Sequence, residues 1–268
     1  MIKKLFNFFP PKLKIIIGLL IMFFLKPLRF HPGINLLLNK IVHMIGWYRV
    51  VKKGDIIIQG GVDYTFGPSF IEPISEIVGD QGLVVGVEPS PITIKYVSEK
   101  IKKGELSNNI VLINKAISDK KDEMNFVLGK KGTWNRLDRD SSESLKEDEK
   151  FSGNEIRVQV DTIDNIVKEL NIDIQRISFV SLTINGQEYN ALKGMKNIFK
   201  NSKNLSINVV AGRVKANPDI GLINGVPDKK VIRQFLENYG FKTKYFELKK
   251  GKMGYVMAKK GESKFFIG

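Results

Sequence analysis

A short apolar run, Ile56-Ile57-Ile58, leads through Gln59 into a glycine pair, Gly60-Gly61. A second apolar run, "GLVVGVE", ends in a carboxylate, Glu88, 27 residues after Gly61. These are the parts of a nucleoside site. Glycines after a first strand let a ligand approach the backbone, and an acid closing the second strand accepts hydrogen bonds from both ribose hydroxyls. In such sites the residue between strand and glycines is often an acid. Here it is the amide of Gln59, which donates and accepts but carries no charge. The G-x-G-x-x-G spacing of dinucleotide sites is absent, and so is G-x-x-x-x-G-K-[ST].

Few other residues can do chemistry. Cysteine is absent, which excludes disulfides, thiolate nucleophiles and cysteine-ligated metals. His31 and His43 are the two histidines; both lie near the N-terminus without carboxylate companions, so no metal site is expected. Proton transfer in the rest of the chain falls to carboxylates. Asp161 reads as the N-cap of a helix over 162–170, with Asp164 in its first turn. Glu188 suits the positive end of a helix dipole as well as a chemical role. Asp63 suits a turn as well as a ligand contact. Trp134 and Arg136 read equally as substrate contacts or as loop anchors.

The elements that would position these residues alternate. Strands are predicted at 55–59, 82–88, 109–118, 156–160, 176–184 and 204–210, with helices over 69–78, 91–103, 162–170, 188–200 and 228–239. Buried apolar strands separated by helices imply an α/β fold, a mostly parallel sheet covered on both faces. Residues 241–248 and 253–260 are predicted as a C-terminal antiparallel strand pair. Residues 129–155 are charged and serine-rich, and read as a long loop or lid. The expected division is a helical segment over 1–50 and one domain over 51–268.

The N-terminal segment is unlike the rest. The chain carries a formal charge of +15, and residues 1–53 hold ten basic residues and no acid, leaving 33 basic against 28 acidic residues elsewhere. Ile15 to Leu25 form an uncharged run of eleven between Lys14 and Lys26. A bilayer span needs about 20 apolar residues, so the expectation is a membrane-associating anchor lying at the cytoplasmic face, its lysines on anionic headgroups. A helix pair packed on the domain is the alternative. Nucleic acid is not expected as a partner, because the lysines interleave with aliphatic residues rather than forming a polar face.

The ordered set of motifs resembles the FkbM family of S-adenosylmethionine-dependent methyltransferases over 47–260. "VKKGDIIIQGG" is similar to the family's first strand and cofactor glycines, "VGDQGLVVGVEPSP" to its second strand and acid-proline pair, and "NKAISDKKDEMNF" to its third strand. "VQVDTIDNIVKELNID" and "ISFVSLTINGQEYNALKG" resemble its later signatures. The resemblance implies a Rossmann-like class I methyltransferase sheet and S-adenosylmethionine as cofactor, held by Gln59, Gly60, Gly61, Asp63, Glu88, Pro89 and Ser181. It implies catalytic roles for Glu188, Asn185 and Thr183, with Asp63, Asp138 and Asp140 as further carboxylates that could take a proton. O-methylation of a glycan, lipid-linked sugar or similar small acceptor follows from it, and a homo-oligomer or protein complex stays open. The sequence departs from the family at Gln59, Ser181, Thr183 and Asn185, where the family has ionisable residues. Those substitutions leave a second reading open: a methyltransferase fold serving as a non-catalytic binding or assembly subunit.

Overall fold

A computed structural model describes residues 13, 17, 20–21, 45–62, 71–129, 135–137, 151–213, 221–249 and 253–266. Asp63, Trp134, Asp138, Asp140 and most of the 1–50 segment lie outside the described residues. Residues 45–50 are helical, and bury Trp47 and Val50. The elements that follow are β1 (Ile56–Gly60), α1 (Ile71–Val78), β2 (Leu83–Val87), α2 (Pro91–Lys102), β3 (Ile110–Ile113), β4 (Ala116–Ile117), β5 (Asp122–Gly129), β6 (Arg136–Leu137) and β7 (Phe151–Asp161). Then come α3 (Ile163–Glu169), a 3-10 turn (Ile174–Arg176), β8 (Ile177–Leu182), α4 (Glu188–Lys193), α5 (Lys196–Asn201), β9 (Leu205–Ala211), β10 (Leu222–Ile223), β11 (Val226–Pro227), α6 (Asp228–Asn238), β12 (Lys242–Lys249) and β13 (Met253–Lys260).

The main sheet has seven strands in the order β3-β2-β1-β8-β9-β13-β12. The five from β3 to β9 are parallel; β13 runs antiparallel between β9 and β12. The expected terminal strand pair is therefore built into the sheet, extending it past β9. Chain direction across the sheet reverses between β1 and β8, the position where α/β sheets open a crevice at their strand carboxyl ends.

Both faces are covered, as the unbroken apolar strands require. Ile58, Val180, Leu182 and Val209 pack with α3, α4, α5 and α6 around Phe199. Ile57, Val84 and Phe179 pack on the other face with Ile71 and Ile74 of α1, Val97 of α2, Trp47 and Phe266. Phe179 and Phe266 stack with centroids 5.4 Å apart.

Four expectations are corrected. The predicted strand 109–118 divides between two sheets: β3 ends at Ile113, and β4 begins a separate four-stranded sheet ordered β4-β7-β5-β6. The predicted lid is not one loop. Gly129 ends β5, Arg136–Leu137 pairs with β5, and Phe151 begins β7. Ladder hydrogen bonds offset the missing apolar burial, a pairing that local composition does not show. The helix predicted over 188–200 is two, broken at Gly194, where a Cβ would collide with the Ser118 carbonyl.

The fourth correction concerns caps. Thr162, not Asp161, caps α3: its hydroxyl accepts the Asn165 N–H at 3.0 Å. Asp161 is fully buried and paired with Lys115 at 2.8 Å. Asp164 accepts the N–H groups of Asn197 and Ile198, at 2.8 and 3.0 Å, so it caps α5 rather than its own helix.

Candidate active site

The carboxyl ends of β1, β2 and β8 converge. Gly61 N–H donates to the Val87 carbonyl and Thr183 N–H to the Gly60 carbonyl, each at 3.0 Å. Gly61 has φ +82°, and a Cβ there would strike the Thr183 carbonyl. A Cβ on Gly60 would crowd Ile117 and Leu182. The glycine pair is thus required by strand packing, whatever else approaches it.

Glu88 stands directly after β2 and is buried. Its Oε2 accepts the Val62 N–H at 3.0 Å and its Oε1 accepts the Ser90 N–H at 2.9 Å. The carboxylate so ties the glycine turn to the start of α2, which Ser90 caps. An ionised carboxylate is an acceptor-only group, the type that hydroxyl donors suit.

A pocket opens over these ends. Gly61, Val62, Glu88, Pro89 and Thr93 line one side, Thr183, Ile184, Asn185 and Gln187 another, and Ala116, Ile117, Phe126 and Leu137 of the small sheet, with Asn135 just before β6, a third. Asn135 joins the last two: its carbonyl accepts from Asn185 Nδ2 at 2.9 Å, and its Oδ1 accepts the Gly129 N–H at 2.8 Å. The second sheet is thereby one wall of the site, a role the sequence did not disclose.

Gln59 lies beneath the turn, 1% exposed. Its Nε2 donates to the carbonyls of Gly60 and Gly61, at 3.3 and 3.1 Å. Its Oε1 is buried without a partner. In register with it across the strands are Ser181 and then Asn208, a buried polar row; Asn208 Oδ1 is also unpartnered.

Glu188 begins α4, just after the Thr183–Asn185 loop, and the structure engages both of its oxygens. Its Oε1 accepts from Ile184 N–H at 3.2 Å and from Arg213 Nη1 at 2.9 Å; its Oε2 accepts the Gly186 N–H at 2.7 Å. Asn185, held at φ 50°, sits between the two clamped amides. Beside the ion pair, Asp228 accepts the N–H groups of Gly212 and Lys229. Burial pushes the Asp228 carboxyl up from its ordinary range, and Glu188 adds to this. The neighbouring Tyr255 hydroxyl is pushed up to about 12 by burial. Arg213 escaped the sequence reading: it belongs to no motif, and only the sheet brings it to Glu188, 25 residues earlier. Among the described residues, no group of three metal-ligating side chains exists.

A family model, the Methyltransferase FkbM domain, matches residues 62–243, more than half of the chain. The chain belongs to the FkbM methyltransferase family. S-adenosylmethionine is the cofactor of this methyltransferase domain. Solved structures are similar to the chain at low identity. The FkbM methyltransferase from Methylobacillus flagellatus is 11% identical (TM-score 0.47; 82% of this chain and 54% of that chain covered); the protein thus spans about half of that relative's length. A SAM-dependent methyltransferase from Aquifex aeolicus is 15% identical (TM-score 0.41; 78% and 84% covered). Aeropyrum pernix fibrillarin, solved with natively bound S-adenosyl-L-methionine, is 12% identical (TM-score 0.44; 78% and 68% covered). No curated protein matches. Of the expected site, Gly61, Glu88, Pro89, Thr183 and Asn185 surround the pocket, Gln59 and Ser181 lie in the sheet below, Gly60 packs between strands, and Glu188 clamps the pocket's loop.

Proposed function

We propose that the protein is an S-adenosylmethionine-dependent O-methyltransferase acting on a hydroxyl of a glycan, lipid-linked sugar or similar small acceptor. The observation that carries this reading is the convergence of Glu88, Gly61 and the Thr183–Asn185 loop on one pocket at the sheet's switch point. The residues fit the cofactor. Glu88 presents a buried carboxylate to the ribose hydroxyls, and the orphaned Oε1 of Gln59 is a neutral acceptor for an ammonium group. The sulfonium supplies an electrophilic methyl group; the chain's task is to align the acceptor oxygen. Thr183 and Asn185 contact the acceptor. Glu188, bonded to three N–H groups, shapes their loop instead of taking the proton.

The basic, acid-free segment supports placing this activity on an anionic membrane surface at the cytoplasmic face. Leu13 and Leu20 are helical and exposed. No helix among the described residues is long and apolar enough to cross a membrane. Deleting residues 1–30 should release the protein from anionic liposomes with the domain still folded. Equal liposome binding by both forms removes the anchor.

A second reading is favoured by the engaged state of Glu188 and by the neutral residues at 59, 181, 183 and 185: a non-catalytic subunit that binds or assembles. Calorimetry with S-adenosylmethionine and S-adenosylhomocysteine separates the two. Binding to both supports the enzyme; no binding at millimolar cofactor supports the subunit.

A further inference from the structure

The small-sheet wall of the pocket is tied to the main sheet through Asn185. Its Nδ2 donates to the Asn135 carbonyl at 2.9 Å, across 50 residues of chain. Asn135 in turn orders the wall. Its Oδ1 accepts the Gly129 N–H at the end of β5, at 2.8 Å. Two residues further on, Leu137 pairs with Phe126 across β6 and β5. Phe126, Asn135 and Leu137 line the pocket from this side, and Asn185 lines it from the other.

Asn185 reaches the small sheet from a fixed backbone. Its φ of 50° is left-handed, a region asparagine enters more readily than most residues. The amides on either side of it, Ile184 and Gly186, both donate to Glu188, which is itself paired with Arg213. The residue type matches the partner. Asn135 presents a carbonyl, which accepts, and the NH₂ of an amide donates to it. An ionised carboxylate only accepts and would turn a second acceptor toward that carbonyl. The neutral side chain at 185, one of the departures from the family pattern, therefore makes a bond that an acid would forfeit.

We infer that Asn185 is a positioning residue: its amide latches the small-sheet wall to the Thr183–Asn185 loop and so sets how readily a ligand enters and leaves the pocket. The identity of that ligand rests on the cofactor reading above; the latch goes beyond it by giving the departure at 185 a task. One neutral hydrogen bond shifts an opening equilibrium by about three- to tenfold, enough to hold the wall and little enough to release it.

The test compares the full chain with Asn185→Gly and Asn185→Asp. Glycine adopts the positive φ freely, so the first variant removes the amide without straining the turn. The second keeps the shape and replaces the donor with an acceptor. Hydrogen exchange is followed in the ligand-free protein, and association and dissociation rates of S-adenosylhomocysteine are measured by stopped flow. Exchange at Gly129 and along the β5–β6 pair should rise about three- to tenfold in both variants, more in Asn185→Asp, with β8 and β9 unchanged. Both rate constants should rise by a similar factor while the dissociation constant moves less than about threefold. Unchanged exchange at Gly129 overturns the inference, and so does a rise spread through the main sheet, which marks a merely structural residue. Faster dissociation with unchanged association overturns it too, since the side chain would then be touching the ligand directly. If wild type binds no S-adenosylhomocysteine, the cofactor reading falls and the exchange comparison alone decides the latch. If Asn185→Asp does not fold, Asn185→Gly carries both measurements.

Discussion

Val62 N–H donates to Glu88 Oε2 at 3.0 Å across 26 residues, joining the glycine turn to the end of the second strand. The residue proposed to hold the ribose is therefore also what holds the turn beside it. Glu88→Ala should weaken S-adenosylhomocysteine binding at least about tenfold. It should also destabilise the fold by about 1–3 kcal/mol, because two buried backbone donors lose their acceptor. Glu88→Gln turns an NH₂ toward one of those donors and should cost stability too. Calorimetry and urea unfolding measure the two effects separately; unchanged affinity in Glu88→Ala removes it from the ribose site.

Gln59→Asp exchanges a neutral acceptor for a charge and gives up the amide's bonds to Gly60 and Gly61. The free protein should lose stability, since a buried carboxylate without a cation is costly. Added S-adenosylmethionine should then raise the melting temperature by more than in wild type, because its ammonium supplies the missing partner. If neither protein responds to millimolar cofactor, the turn is a remnant and the non-catalytic reading stands.

Gly61→Ala should cost more than about 2 kcal/mol, since a left-handed L-residue alone costs roughly 1–2 kcal/mol and the new methyl also meets the Thr183 carbonyl. Gly225→Ala provides the comparison: φ is +77°, but no atom lies within 4 Å of its Cβ position. It should cost only the backbone term and leave cofactor binding intact. Equal unfolding midpoints for the two variants contradict this account.

Two acids should give opposite pH responses. Burial acts to raise the Asp161 carboxyl, but hydrogen bonds from Lys115, Asn165 and the Thr162 N–H hold it below the usual range. Its contribution is present above the unfolded value of about 3.9 and is lost as pH falls through the lower folded value. Asp161→Asn should flatten the stability loss on acidification. Asp228 is raised, so it costs stability above its folded pKa and is relieved as pH falls through it. Both backbone N–H groups bond to one oxygen, Oδ1, which an amide retains. Asp228→Asn should therefore stabilise at neutral pH, with the gain fading toward acid. Urea midpoints from about pH 3 to about pH 7 check both signs.

The chain's local chemistry was enough for the alternation of strands and helices, the glycine pair, Glu88 at a strand end and the family. Each depends on residues close in sequence: unbroken apolar strands, a cap such as Ser90 before Pro91, and an acid closing "GLVVGVE". Local composition misjudged Arg136–Leu137 and residues 151–155 because strand pairing supplies hydrogen bonds that no apolar pattern records. It placed Asp164 on its own helix because the α5 amides it caps lie more than thirty residues away. The role of Glu188 was likewise undecidable from its neighbours. Its partners include Arg213, carried to it by β9 lying beside β8, and a buried carboxylate bonded to a guanidinium and two amides acts as a clamp where a free one could act as a base. Sequence determined which groups were present; the order of strands in the sheet decided which of them met, because hydrogen bonds and charge pairs act over a few ångströms of space and take no account of distance along the chain.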